Sequence, residues 1–251
     1  MEMQNVYDQL IRGIKKFFKK NSFHKAVVGV SGGVDSSLTM KLGVDALGAE
    51  NVTAISMPEL GVSSQENIDH AKALCHALKV KFFYQPINPF LTDFYHLPWD
   101  PNKLATQNTK ARIRAVLLYN YANTADAIVL GTSNKSETLL GYGTKYGDLA
   151  ADLEVIGDLY KDEVFALADF VGLPREIIEK PPTAELYQGQ TDEGELGASY
   201  GQLDPILKRL KMGPDQLIEH GMNPTLVHSV LHRVQKNRHK TEMPPVIKIK
   251  Q

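Results

Sequence analysis

The chain has one cysteine, Cys75, in 251 residues. An intramolecular disulfide is excluded, and nothing points to an oxidising compartment. An excess of one charge is missing too. Twenty-eight Lys and Arg face twenty-nine Asp and Glu, for a formal net charge of −1. A broad electrostatic hold on nucleic acid needs a basic excess, so nucleic acid is not an expected partner. No stretch approaches the roughly 20 apolar residues of a membrane helix. The opening segment MEMQNVYDQLIRGIKKFF lacks the apolar core of a secretion signal. A membrane is therefore not an expected partner either, and the expected compartment is cytoplasmic. In that setting Asn51-Val52-Thr53 and Asn134-Lys135-Ser136 are chance matches to a glycosylation triplet.

What is present is the composition of a globular protein, 43% hydrophobic and 23% charged, long enough to fold without covalent staples. Val6, Leu10, Ile14, Phe17 and Phe18 recur at helical spacing. Lys15, Lys16, Lys19 and Lys20 then read as a solvated basic face near a helix C-terminus. Residues 26–30 (AVVGV) suit a strand buried on both faces of a parallel sheet. A helix to about Gly48 follows, then a strand at 52–57. Ser63 and Glu66 stand at capping-box spacing before a helix that carries Ile68, Ala71, Leu74, Cys75 and Leu78 on one face. Further strands are expected at 80–87 and 127–132, with a long helix from Lys103 to Tyr121 between them. This alternation predicts an α/β fold, a doubly wound and mainly parallel sheet flanked by helices. The second half is richer in glycine, proline and charge, with helices expected at 161–172, 195–211 and 223–237. Residues 1–251 are read as one domain.

The sharpest local feature is Ser31-Gly32-Gly33-Val34-Asp35-Ser36, between a strand and a helix. The glycines permit positive φ and close backbone approach. Consecutive N–H groups and the helix N-terminus form an anion site. Ser31, Ser36 and Ser37 add hydroxyls. No Walker A pattern occurs. A carboxylate beside a phosphate implies an intervening cation, so Asp35 points to Mg²⁺. The competing assignment is a glycine turn in which Asp35 and Ser36 cap the helix.

SGGVDSS resembles the pyrophosphate loop of the N-type ATP pyrophosphatases, which cleave ATP between the α and β phosphates and adenylate their substrate. Six further segments resemble the NAD synthetases among them, and with the loop they reach from Gly29 to Pro245. In QNTKARIR (107–114), Asn108 and Arg112 share a helix face, whereas Arg114 lies roughly 200° from Arg112. The resemblance implies that Arg112 contacts deamido-NAD; an ordinary surface ion pair is the alternative. In LGTSNKSE (130–137) it implies that Thr132 contacts ATP and that Glu137 joins Asp35 as a magnesium ligand. Glu137 also stands where a capping-box partner of Asn134 would. In YGTKYGD (142–148) and just beyond, it assigns Lys145 and Asp152 to deamido-NAD. Asp148 is a candidate to take a proton from ammonium, although aspartate in a glycine turn is commonly structural. In DLYKDEV and PPTAELYQGQTDE, Lys161 and Thr183 are implied ATP contacts, with Lys161 stabilising charge on the phosphates. Tyr187 stands where the family often has tryptophan. In HKTEMPP, His239 and Lys240 are implied contacts of deamido-NAD, and Thr241 departs from the usual arginine. Gly29, Val30, Ser31, Gly32, Gly33, Val34, Asp35, Ser36 and Ser37 make up the implied ATP loop.

The resemblance implies an ATP- and Mg²⁺-dependent amidation of deamido-NAD by ammonia, with ATP as co-substrate, in a homodimer. Cys75 lies on an apolar helical stripe and reads as core, not as a glutaminase nucleophile. No glutaminase domain is expected before the phosphate loop, so free ammonia is the expected nitrogen source. Loops near 143–147 and 184–194 are candidate lids.

Overall fold

A computed structural model of the chain describes residues 2–183, 185–187 and 189–249. Five parallel strands form one sheet: β1 (Lys25–Gly29), β2 (Val52–Ser56), β3 (Lys81–Tyr84), β4 (Ala127–Gly131) and β5 (Leu153–Glu154). Their order is β3-β2-β1-β4-β5. Val28 pairs with Ala54 on one side and Leu130 on the other, so β1 is central. That order reverses direction between β1 and β4. In such sheets the crevice beyond the carboxyl ends of those two strands is where ligands bind.

Twelve helices occur among the described residues: α1 (Met3–Asn21), α2 (Val34–Leu47), α3 (Gln65–Ala77), α4 (Asn88–Leu91), α5 (Lys103–Ala125), α6 (Lys135–Leu140), α7 (Lys161–Phe170), α8 (Arg175–Ile178), α9 (Asp192–Leu196), α10 (Tyr200–Leu207), α11 (Pro214–Glu219) and α12 (Pro224–Asn237). Side chains alternate across a strand. Ala26 and Val28 accordingly join a core with Leu38 and Leu42 of α2, Leu74 of α3 and Leu167 of α7. Val27 and Val129 point the other way, onto Ile113 and Ala122 of α5. A third cluster, built on Leu140, Leu203, Leu217 and Val227, binds α6 and α10 to α12. No helix among the described residues is long and apolar enough to cross a membrane.

Several boundaries differ from the sequence expectation. α3 is capped by Ser64, whose hydroxyl accepts the Asn67 N–H, whereas the Ser63 hydroxyl accepts from Glu59 N–H. β3 is shorter than 80–87, because the Val80 N–H is taken by the Cys75 carbonyl. The helix expected at 195–211 is broken by Gly197 at φ 77, a left-handed C-cap that favours glycine. β5, two residues long, was not expected at all.

Candidate active site

The loop between β1 and α2 opens the crevice. Gly32 has φ 85, and a Cβ there would meet the Asn67 backbone carbonyl, so only glycine fits. Ser36 ties the turn together: its Oγ accepts the Ser31 N–H at 3.2 Å and donates to the Gly33 carbonyl at 3.1 Å. The N-cap of α2 is Gly33, with no side-chain cap. Asp35 is therefore free of the capping role. Its Oδ1 instead accepts from Asn134 Nδ2 at 2.8 Å, across the crevice from the end of β4.

Glu137 takes the capping role that its position allowed, and it also pairs with a lysine. Its Oε2 accepts the Asn134 N–H at 3.3 Å and closes a capping box on α6. Its Oε1 lies 3.2 Å from Lys161 Nζ. Lys161 opens α7, and its backbone N–H donates to Ser136 Oγ at 3.0 Å. Its side chain is only 1% exposed, and the ammonium also meets Asp35 Oδ2 at 2.5 Å. One lysine thus joins the two carboxylates, with the Tyr200 ring 5.2 Å below it. Burial opposes the ammonium, but Asp35, Glu137 and Asp192 outweigh it and hold Lys161 above its ordinary value. Burial pushes the Glu137 carboxyl up to about 8; Lys161 opposes this rise, while Asp35 and Asp192 add to it.

These groups line a cavity of about 410 Å³, within the range of small-molecule sites. Gly29, Val30, Ser31, Gly33, Val34, Asp35, Ser36, Thr132, Glu137, Asp148, Lys161, Thr183 and Lys240 all reach it. Gly32 and Ser37 lie behind the loop, buried. α5 forms one wall through Leu104, Gln107, Asn108, Ala111, Arg114, Ala115 and Leu118, a helical stripe. Arg114 points into it and Arg112 away, as their spacing requires. Arg114 Nε donates to the Met57 carbonyl at 2.9 Å, and burial lowers its pKa.

Arg112, Lys145 and His239 lie outside the cavity wall but are linked. Arg112 Nε donates to the Lys145 carbonyl at 3.3 Å. Lys145 Nζ donates to the carbonyls of His239 and Glu242. Lys240 Nζ reaches the carbonyls of Gly141 and Gly143 at 2.7 and 3.0 Å. The C-terminal element is thereby fastened to the glycine loop. Asp148 accepts the Thr144 N–H at 3.0 Å, and burial raises its carboxyl. Asp152 stands apart, accepting from Tyr119 Oη and from the Val129 N–H of β4.

The segment after α8 lies across the opening. Glu185 accepts from the Ser64 N–H and from Asn67 Nδ2, and Lys180 Nζ donates to Asn67 Oδ1. Lys110 Nζ reaches the Leu186 carbonyl at 3.3 Å and Glu59 at 2.6 Å. Part of the lid expected at 184–194, Ala184 and Gln188, lies outside the described residues. Asn134, Arg114, Asp192 and Tyr200 were not singled out for the site from sequence. Asn134 had a visible role as a cap, which hid its second one; Arg114 and Asp192 lie inside motifs quoted above but were given no site role, and Tyr200 carries no motif signal.

A family model described as NAD synthase matches residues 6–244. The chain belongs to the NAD synthase family. It is therefore an enzyme, a ligase that forms a carbon–nitrogen bond, and membership places it in NAD biosynthesis. It is 42% identical over 246 residues to the NH(3)-dependent NAD(+) synthetase of Wolinella succinogenes, covering 97% of this chain and 95% of that one. Among solved structures it resembles the NH3-dependent NAD synthetase of Campylobacter jejuni, with a TM-score of 0.85 and 35% identity over 99% of this chain and all of that one. It also resembles an NMN synthetase from Francisella tularensis, with a TM-score of 0.88 and 27% identity, again over 99% and 100% of the two chains. These likenesses extend the parallel sheet and its flanking helices to the whole family fold.

The donor set fits a hard divalent cation. Asp35 and Glu137 are oxygen donors held beside the phosphate loop, with Lys161 between them and Asp192 close by. Among the described residues no group of three or more His, Cys, Asp and Glu forms a cage. Mg²⁺ is bound in just this manner, through one or two carboxylates completed by phosphate oxygens and water.

Proposed function

We propose that this NAD synthase family member amidates deamido-NAD with ammonia, using ATP, and that residues 1–251 act as one domain. The observation that carries the reading is Lys161 bridging Asp35 and Glu137 beside the phosphate loop. A carboxylate oxygen of the nicotinate attacks the α-phosphorus of ATP, and the bond to pyrophosphate breaks. The loop N–H groups and the start of α2 receive the departing pyrophosphate. Lys161 stabilises the charge that develops on it. Asp35 and Glu137 would hold Mg²⁺, which would supply neutralisation of phosphate charge. Ammonia then attacks the carbonyl carbon of the acyl-adenylate, the C–O bond breaks, and AMP leaves. Asp148 takes the proton of ammonium; its raised pKa makes it a stronger base than a free carboxylate. Closure of the segment carrying Thr183 and Glu185 keeps water from the intermediate.

Arg112, Lys145, His239 and Lys240 form the linked rim that holds the distal part of deamido-NAD; Asp152, bonded to Tyr119 and to the Val129 N–H, has no contact with that rim among the described residues. A homodimer accords with the family resemblance, as does a cytoplasmic location. A second reading is favoured by the likeness to the Francisella tularensis protein: the acceptor is the mononucleotide, not the dinucleotide. Purified protein is incubated with ATP, Mg²⁺ and either acceptor, with ammonium in one arm and glutamine in the other. Amide product from deamido-NAD and ammonium supports the first reading. Product from the mononucleotide alone supports the second. Product from glutamine contradicts ammonia as the nitrogen donor.

A further inference from the structure

Asp192 has no part in the chemistry above, yet it is 4% exposed and carries a carboxylate at the cavity wall. Its Oδ1 accepts from Tyr142 Oη at 3.1 Å and its Oδ2 from Tyr200 Oη at 3.2 Å. Its backbone N–H donates to the Pro182 carbonyl at 3.0 Å. Three segments therefore meet at one residue. Tyr142 opens the glycine loop that ends in Asp148. Pro182 precedes Thr183 in the segment across the opening. Tyr200 opens α10, and its ring lies beneath the Lys161 ammonium. Burying a carboxylate is costly unless it is hydrogen-bonded, and simple capping of α9 would not require burial. A carboxylate on the phenol oxygen also makes the ring face more negative, which strengthens its hold on a cation.

We infer that Asp192 is a positioning residue: through Tyr200 it sets the Lys161 ammonium over the phosphate site, and through its bond to Pro182 it ties the residues leading to Thr183 to the same point. The inference rests on reading this cavity as the site of adenylation. Lys161 is held from above by Asp35 and Glu137 and from below by the ring, so freeing the ring frees the ammonium to follow the carboxylates. Misplacement by about an ångström costs roughly a hundredfold in rate. Such a loss falls on kcat, because ATP is still held by the loop amides.

The test compares the unmodified chain with Asp192→Asn, Asp192→Glu, Tyr200→Phe and the Asp192→Asn/Tyr200→Phe double variant, each checked for intact folding by melting temperature. The expected result for Asp192→Asn is a fall in kcat of roughly 10- to 100-fold, with KM for ATP moved less than about threefold. Tyr200→Phe, which removes one oxygen and keeps the core filled, lowers kcat in the same direction. The double variant is no slower than Asp192→Asn alone, since both changes break one link. Asp192→Glu recovers part of the rate. Additive losses, or a raised KM with unchanged kcat, overturn the inference. An unmodified chain that forms no product in any arm overturns the functional reading and this inference together. Normal turnover with an unmoved Asp192→Asn kcat overturns this inference alone.

Discussion

Replacing Lys161 by methionine removes the cation that directly contacts both Asp35 and Glu137. The side chain is 1% exposed, and its partners Asp35 and Glu137 are 19% and 15% exposed, so water screens the cluster little. Removing one partner from a buried ion pair costs about 3–5 kcal/mol, because the remaining charge is left without compensation. In a chain of this size that corresponds to a fall in melting temperature of roughly 6–20 °C. Protonation moderates it. The Glu137 carboxyl already lies at about 8 with Lys161 beside it, and without the lysine it rises further. A carboxyl raised in the folded state contributes stability that is present below its unfolded value and lost as pH rises through the folded one. The deficit of Lys161→Met is therefore smallest near pH 6 and largest above about pH 8. Magnesium reverses part of it, by about 2.7 kcal/mol at a hundredfold excess over the dissociation constant. Calorimetric melts of both proteins at the two pH values, with and without MgCl₂, measure all of this. A deficit below about 2 °C at high pH, or one indifferent to magnesium, refutes the account of the cluster.

Three other outcomes follow from single contacts. Gly32→Ala places a Cβ on the Asn67 carbonyl at φ 85, so it costs about 1–3 kcal/mol and abolishes ATP binding, read by melting temperature and calorimetric titration. Glu154 is exposed along the edge strand, but its carboxyl rests over Gly131, and loss of water there lifts its pKa to about 7, against the Ser133 N–H. Its folded state favours the proton, so that contribution is lost as pH rises through about 7; Glu154→Gln should melt with the unmodified chain near pH 5 and above it beyond pH 8. Cys75 is fully buried and burial raises its thiol to about 12, so it resists iodoacetamide in the folded protein at pH 8 and reacts fully in denaturant.

The central strands were legible because residues 26–30, 52–57 and 127–132 are short β-branched runs between helical patterns, which a two-face-buried strand requires. β5 left no such trace: Leu153 and Glu154 pair with Leu130 and Gly131 over only two residues, and placement beside β4 defines them more than composition does. The phosphate loop was readable because glycine at Gly32 answers a backbone need visible in the pattern itself. Lys161 was legible only through family resemblance, and its ion pairs were not, since they join residues more than a hundred positions apart to residues nearby in chain. Asp192 opens α9, ahead of the helix that the sequence predicts at 195–211. Nothing in its neighbours signals that Tyr142 and Tyr200 converge on it from opposite directions.

The most direct test of the central claim follows oxygen. Deamido-NAD labelled with ¹⁸O in the nicotinate carboxylate is turned over with ATP, Mg²⁺ and ammonium, and the nucleotide product is weighed by mass spectrometry. Attack of the carboxylate on the α-phosphorus predicts NAD and AMP in equal amounts, with one labelled oxygen carried into AMP. ADP as product, or AMP without the label, would contradict the adenylation that the Lys161 cluster and phosphate loop are argued to perform.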